Sequence, residues 1–254
     1  MIELRELSVT YGSTTALHPL DLTLYEGVTG LFGPNGAGKS TLLRVLAGLL
    51  RPATGTALLG SSEIRSSDES IRRRIGYSGH NSGLYGRLSV IENLRLFAEL
   101  YGAPAARAPA VLEQLDMTDR SHTLVGDLSA GLKRRVSVAR AILHEPDVLL
   151  LDEPYANLDD DASALVSDTI KSWRAPGRAA IIATHGAKRV KAFADAGIIV
   201  QHGRVVSYRR RTATGTTSDR LDDRETNGDR LDDRETKGHR PDHRETYGDR
   251  GEDN

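Results

Sequence analysis

The residues Gly33-Pro34-Asn35-Gly36-Ala37-Gly38-Lys39-Ser40-Thr41 decide how this chain is read. They meet the pattern G-x-x-x-x-G-K-[S/T] at Gly33, Gly38, Lys39 and Ser40. Glycines so placed let successive backbone N–H groups converge on phosphate oxygens, and a following helix adds its positive end. The flanks supply that setting. Residues 28–32 form a short apolar run of strand type, and residues 40–50 have helical spacing that ends near Gly48 and Pro52. A strand, a glycine loop and a helix in that order separate a phosphate cradle from a chance glycine turn.

The loop therefore reads as a P-loop for ATP with Mg2+. Pro34, Asn35, Gly36 and Ala37 line the cradle, Lys39 reaches the β- and γ-phosphates, Ser40 ligates Mg2+ and Thr41 contacts the α-phosphate. Far along the chain, Leu149-Leu150-Leu151-Asp152-Glu153-Pro154 sets two carboxylates at the end of an apolar strand. Asp152 suits the Mg2+ shell, and Glu153 is placed to polarise an attacking water. Two adjacent acids are otherwise a solvated strand end. A P-loop in the same chain favours the catalytic role.

The surrounding pattern is mixed α/β. Residues 147–151, 179–183 and 197–201 are continuous apolar runs, as expected of strands buried on both faces, with helical stretches at about 163–174 and 187–194 between them. That alternation predicts a parallel sheet. Residues 4–11 and 21–25 read as an antiparallel pair, and about 72–144 as mostly helical. Residues 1–6 alternate apolar and charged, which predicts an edge strand and not a signal peptide. No run approaches the roughly 18 to 20 apolar residues that span a bilayer, so any membrane link is expected through another subunit.

The 254 residues carry a formal net charge of −1, which gives no basic field for nucleic acid. The lack of cysteine excludes disulfides, thiolate metal sites and thiol nucleophiles. Composition shifts near Arg209. A polar linker leads into the repeats DRLDDRETNG, DRLDDRETKG and HRPDHRETYG, whose few apolar residues cannot offset ordering entropy. The expected division is a folded domain over residues 1–208 and a disordered mixed-charge tail over 209–254, with a docking peptide as the alternative for the tail.

Leu128-Ser129-Ala130-Gly131, opening a helix just before the carboxylate strand, resembles the LSGGQ signature of ATP-binding cassette (ABC) ATPases. The likeness covers all but the tail. It implies the ABC-type P-loop NTPase fold: a core with a parallel sheet, an antiparallel β-subdomain and a helical signature subdomain at about 72–144. It also implies roles for further residues. Tyr11 stacks on adenine, Ala156-Asn157-Leu158-Asp159 forms the D-loop, and His185 after Thr184 is the switch histidine at the γ-phosphate. Ser129 and Gly131 serve the P-loop of a second ATP-binding subunit, so a homo- or heterodimer is implied. A transmembrane permease subunit is the other implied partner, received near residues 80–101 with Leu84, Tyr85 and Leu88 as contacts, on the cytoplasmic face of the membrane.

Two positions depart from the family pattern. Leu132 stands where the signature ends in Gln, and His80 stands where a loop Gln usually touches Mg2+ and the attacking water. Either the His80 imidazole takes over that catalytic and metal-binding role, or it only shapes the loop. The Gly79-His80 pair, the Leu-Ser-Ala-Gly signature and Arg134-Arg135 resemble the haem-exporter ATPases of cytochrome c maturation. An exporter subunit for a drug or lipid and a soluble ABC ATPase of DNA repair or translation are the alternatives. Retention of Lys39, Asp152, Glu153 and His185 argues against a non-hydrolysing module.

Overall fold

The computed structural model describes residues 1–65, 67–211 and 217–219, all within one compact unit. In chain order the first half comprises β1 (Ile2–Tyr11), β2 (Thr14–Leu24), β3 (Gly27–Phe32), α1 (Lys39–Leu46), β4 (Thr54–Leu59), β5 (Ser62–Glu63), α2 (Glu69–Arg73) and β6 (Ile75–Ser78). The second comprises α3 (Val90–Tyr101), α4 (Arg107–Gln114), α5 (Ala130–Ile142), β7 (Val148–Asp152), α6 (Asp160–Trp173), β8 (Ala179–Thr184), α7 (Ala187–Lys191), β9 (Ala196–Gln201), β10 (Arg204–Arg211) and β11 (Thr217–Asp219).

A seven-stranded sheet has the order β11-β10-β9-β3-β8-β7-β6. Its β9-β3-β8-β7-β6 portion is parallel, and β10 and β11 add antiparallel strands. Period-two alternation explains the apolar runs. Along β7, Val148 and Leu150 enter one hydrophobic cluster with β1, β2 and α1, and Leu149 and Leu151 enter the other with α3 to α6. β8 splits the same way, with Ile181 and Ala183 on one side and Ala180 and Ile182 on the other. A strand that feeds two cores has no solvent face on which to place a polar residue. β9 differs from the expectation of two buried faces. It is buried at every second position, and Ile199 is exposed.

The second sheet is antiparallel, in the order β2-β1-β4-β5. The first residues are therefore not an edge strand. β1 lies between β2 and β4, pairing Leu4 with Leu22 on one side and Ala57 on the other. Glu3 and Arg5 alternate with the buried Ile2 and Leu4, and such alternation alone cannot tell a central from an edge position. Within the expected helical stretch 72–144, residues 75–78 are β6, the last strand of the large sheet, which pairs with β7. The helices that follow begin with α3, at a Ser89–Glu92 capping box: Ser89 N donates to Glu92 Oε2 at 2.8 Å and Glu92 N to Ser89 Oγ at 3.3 Å. Regular structure also passes the expected boundary at Tyr208. β10 runs to Arg211, and Arg209 pairs with Asp219 of β11. Asp219 is also the first residue of the ten-residue repeats, and the rest of the repeats lie outside the described residues. No described helix is long and apolar enough to cross a membrane.

Candidate active site

The sheet brings the C-terminal ends of β3, β7 and β8 side by side, so residues far apart in sequence converge there. From β3 the chain enters the glycine loop. A Cβ on Gly33 would lie 2.1 Å from the Val200 carbonyl oxygen, so the loop can leave the sheet there only without a side chain. Lys39 is buried, and its Nζ donates to the carbonyls of Gly33 at 2.7 Å and Pro34 at 2.9 Å. The ammonium is thereby held over the loop, with its third proton left for another acceptor. Behind it, α1 packs on β7 and presents the free N–H groups of its first turn. Pro34, Asn35 and Gly36 are exposed, and Ser40 and Thr41 are half-buried at the helix start.

Asp152 ends β7 at 2% exposure, and its Oδ2 is buried without a hydrogen-bond partner. An unpaired buried anionic oxygen is costly. A hard divalent cation fits it, and the Ser40 hydroxyl supplies the same kind of oxygen donor. Among the described residues no cluster of three or more His, Asp or Glu could enclose a metal, so a cation here would complete its shell with phosphate and water.

Glu153 follows immediately and adopts a left-handed backbone, φ 51°, unusual for a non-glycine residue. Its N–H donates to the Ala183 carbonyl at 2.8 Å, which pins the turn to β8. The carboxylate is aimed at the residues that follow β8. Oε1 accepts from His185 N at 2.8 Å and lies 3.0 Å from His185 Nδ1, while Oε2 accepts from Thr184 Oγ1 at 3.0 Å. A cleft of about 1050 Å³ opens beside this group, with Glu153, Asn157, Thr184 and His185 in its wall.

The signature and D-loop residues meet each other. Ser129 caps α5, its Oγ accepting from Leu132 N at 3.3 Å, and Asp159 caps α6 through Ala162 N at 2.8 Å. A Cβ on Gly131 would stand 2.5 Å from the Asn157 carbonyl oxygen, so only glycine permits this approach. Tyr11 is exposed at the end of β1. The His80 ring is also exposed and makes no hydrogen bond among the described residues. Tyr85 is exposed and stacks on Phe97, and Arg140 lies over the same Phe97 ring.

Arg134, in the sequence only a mark of subgroup resemblance, is 7% exposed in the structure, and its guanidinium donates to the carbonyls of Gly79 at 2.7 Å, His80 at 3.3 Å and Asp152 at 3.4 Å. Burial pushes its pKa below the ordinary arginine value, opposed by the charges of Asp152 and Glu153. A signal was present in the sequence. Arg134, Ser137, Val138 and Ala141 follow the inward i, i+3, i+4, i+7 stripe of α5, which places a charged residue on the buried face.

Comparison with known proteins agrees with this geometry. A family model described as ABC transporter matches residues 17–156. A Nod factor export ATP-binding protein I of Cupriavidus pinatubonensis is 37% identical over 227 residues, covering 87% of this chain and 68% of the relative. The ABC transporter ATP-binding protein NatA of Bacillus subtilis is 33% identical over 214 residues, covering 82% and 87%. A daunorubicin resistance ATP-binding protein of Streptomyces coeruleorubidus is 39% identical over 202 residues, covering 78% and 64%. The solved structure of an ATP-binding subunit of an ABC transporter superposes with TM-score 0.77 at 28% identity, covering 83% of this chain and 90% of that one. A dimeric ATP-binding cassette in a post-hydrolysis state, bound to ADP and Pi, superposes with TM-score 0.76 at 25% identity, covering 83% and 98%. None of these relatives is named for haem, so the expected haem-exporter subgroup gains no support from them. The chain belongs to the ABC transporter family and has the ABC ATPase fold.

Proposed function

We propose that this chain binds and hydrolyses ATP to energise an ABC exporter. The observation that carries the reading is the convergence of the Lys39 loop, the unpaired Asp152 carboxylate and the Glu153–His185 pair at one end of the sheet. The loop amides and Lys39 would bind and orient the triphosphate, and Tyr11, exposed at the end of β1, would stack on the base. Asp152 and Ser40 would hold Mg2+, which when bound offsets phosphate charge. Glu153 would accept a hydrogen bond from the attacking water and draw its proton, with the carboxylate kept in place by Thr184 and His185. These roles demand positioning and charge compensation, which are the main sources of catalysis in phosphoryl transfer.

Ser129 and Gly131 head α5 and would complete the site of a second ATP-binding subunit, as a dimer requires. The dimeric post-hydrolysis cassette among the structural neighbours supports that arrangement. A membrane-embedded permease is the other partner, with the segment around Leu84, Tyr85 and Leu88 as its contact and the cytoplasmic face of the membrane as the location. Names that speak of Nod factor export and daunorubicin resistance favour an exported cargo. Residues 1–208, extended by the end of β10 to Arg211, would form the nucleotide-binding domain, with the repeats as an appended tail. Purification of the full chain with its bound partners, together with an ATP turnover assay, tests the reading. A multi-span membrane protein and Mg2+-dependent turnover are expected. Co-purifying nucleic acid or ribosomes in place of a permease would sink it.

A further inference from the structure

Helix α5 grips the loop 77–83 along one face. Arg134 donates to Gly79 and His80, the Ser137 hydroxyl meets Ser78 Oγ at 2.8 Å and Ser82 O at 3.2 Å, and Arg140 donates to Tyr77 O at 2.8 Å and Gly83 O at 3.0 Å. These three side chains recur every third residue, so a single helical face sets the path of the loop. Within this set Arg134 alone also reaches the carbonyl of Asp152. We propose that Arg134 is a positioning residue for hydrolysis: it locks the His80 loop against the end of β7 and holds a buried positive charge behind Asp152 and Glu153. This rests on the ATPase reading above.

Charge is the feature that needs explaining. All of Arg134's acceptors are neutral carbonyls, and a buried cation so held is expensive compared with a neutral amide donating to the same oxygens. The charges that act on Arg134 are chiefly those of Asp152 and Glu153, the groups proposed for metal binding and water activation. Position adds a second consequence. Arg134 lies about one turn beyond Gly131 on α5. The helix that would meet the partner's nucleotide is therefore tied to the backbone of Asp152 in its own site.

The test compares Arg134→Gln, Arg134→Lys and Arg135→Gln in the full chain. Arg135 is the control: it is the next residue of α5 and donates to Leu115 O and Asp116 O, away from the site. Turnover, ATP KM, affinity for a fluorescent ATP analogue and melting temperature are measured. Arg134→Gln should lower kcat by about tenfold or more, since small misplacements of catalytic groups cost up to about a hundredfold. KM and analogue affinity should stay near wild type. Arg134→Lys should recover part of the rate, and Arg135→Gln should keep it. Equal kcat losses in the two Gln variants, a loss explained by weaker nucleotide binding, or no gain from Lys over Gln would each overturn the assignment. If Arg134→Gln does not fold, Arg134→Lys decides alone: lowered kcat at wild-type affinity supports the assignment, and wild-type kcat overturns it. A wild-type chain that binds ATP without turnover defeats the ATPase reading itself and takes this inference with it.

Discussion

Glu153 and His185 are joined twice, because one carboxylate oxygen of Glu153 accepts from the His185 backbone N–H at 2.8 Å and stands 3.0 Å from its ring Nδ1. They are thirty-two residues apart, and the parallel pairing of β7 with β8 brings them together by setting Asp152 beside Ala183. The carboxylate is oriented while the His185 ring remains largely exposed. A carboxylate fixed in this way would cost little reorganisation in the proposed role of base to an attacking water.

Glu153→Gln keeps the shape of the side chain and removes its basicity. ATP binding should persist, turnover should fall by about 10²- to 10⁴-fold, and an ATP-bound dimer should accumulate. Single-turnover hydrolysis and size-exclusion chromatography with ATP check this; near-normal turnover would remove Glu153 from the role of base.

The unpaired Oδ2 of Asp152 predicts a metal-specific defect. Asp152→Asn relieves the buried charge, so folding should survive, but the Mg2+ concentration for half-maximal turnover should rise by at least about tenfold. A Mg2+ titration of ATPase activity measures it. An unchanged midpoint would mean that the cation is held elsewhere.

Gly131→Ala places a methyl 2.5 Å from the Asn157 carbonyl, and a backbone atom cannot swing aside as a side chain can. The cost should be about 1–3 kcal/mol, the usual range for overpacking. Denaturant unfolding gives the stability, and ATP-dependent dimerisation should weaken as the D-loop moves away from α5. Wild-type behaviour in both assays would show that this approach is not tight in solution.

His80→Ala separates side chain from backbone. The residue is exposed and its ring makes no hydrogen bond among the described residues, while its carbonyl is held by Arg134. Stability should change by no more than about 0.5 kcal/mol, as for other exposed positions. A several-fold fall in kcat is expected if the imidazole serves the attacking water; unchanged kcat would leave His80 with a loop-shaping role alone.

His144 gives the fold a dependence on pH. Its ring nitrogens are shielded from solvent, the ring stacks on Tyr101 with centroids 4.1 Å apart, and burial pushes its pKa down from 6.5 to about 4. Between those values the unfolded chain binds a proton that the folded chain refuses. This contribution to stability is complete above pH 6.5 and declines as pH falls toward 4, by at most about 1.4 kcal/mol per pH unit. His144→Phe keeps the stacking and should flatten the melting-temperature profile over that window. Parallel profiles for the two proteins would show that His144 titrates normally.

Local spacing made much of the chain legible. The P-loop is contiguous, and its strand and helix adjoin it, so the strand–loop–helix setting is legible from residues 28–50. The apolar runs of β7 and β8 announced doubly buried strands because every position meets one of two cores. Pairing partners were less legible. The position of β1 between β2 and β4, and the membership of residues 75–78 in the large sheet, depend on contacts with segments distant in sequence.

The sequence by itself marked Lys39, Ser40, Asp152 and Glu153 as candidates for handling a nucleotide, and His185 joined them through the family resemblance. Tertiary structure alone decided how they are held. It set Glu153 on His185, brought Asn157 against Gly131, and buried Arg134 between the His80 loop and Asp152. The reason is physical. A motif is fixed by spacing along the chain, whereas the partner of a buried charge or of a crowded glycine is fixed by which strands and helices pack together.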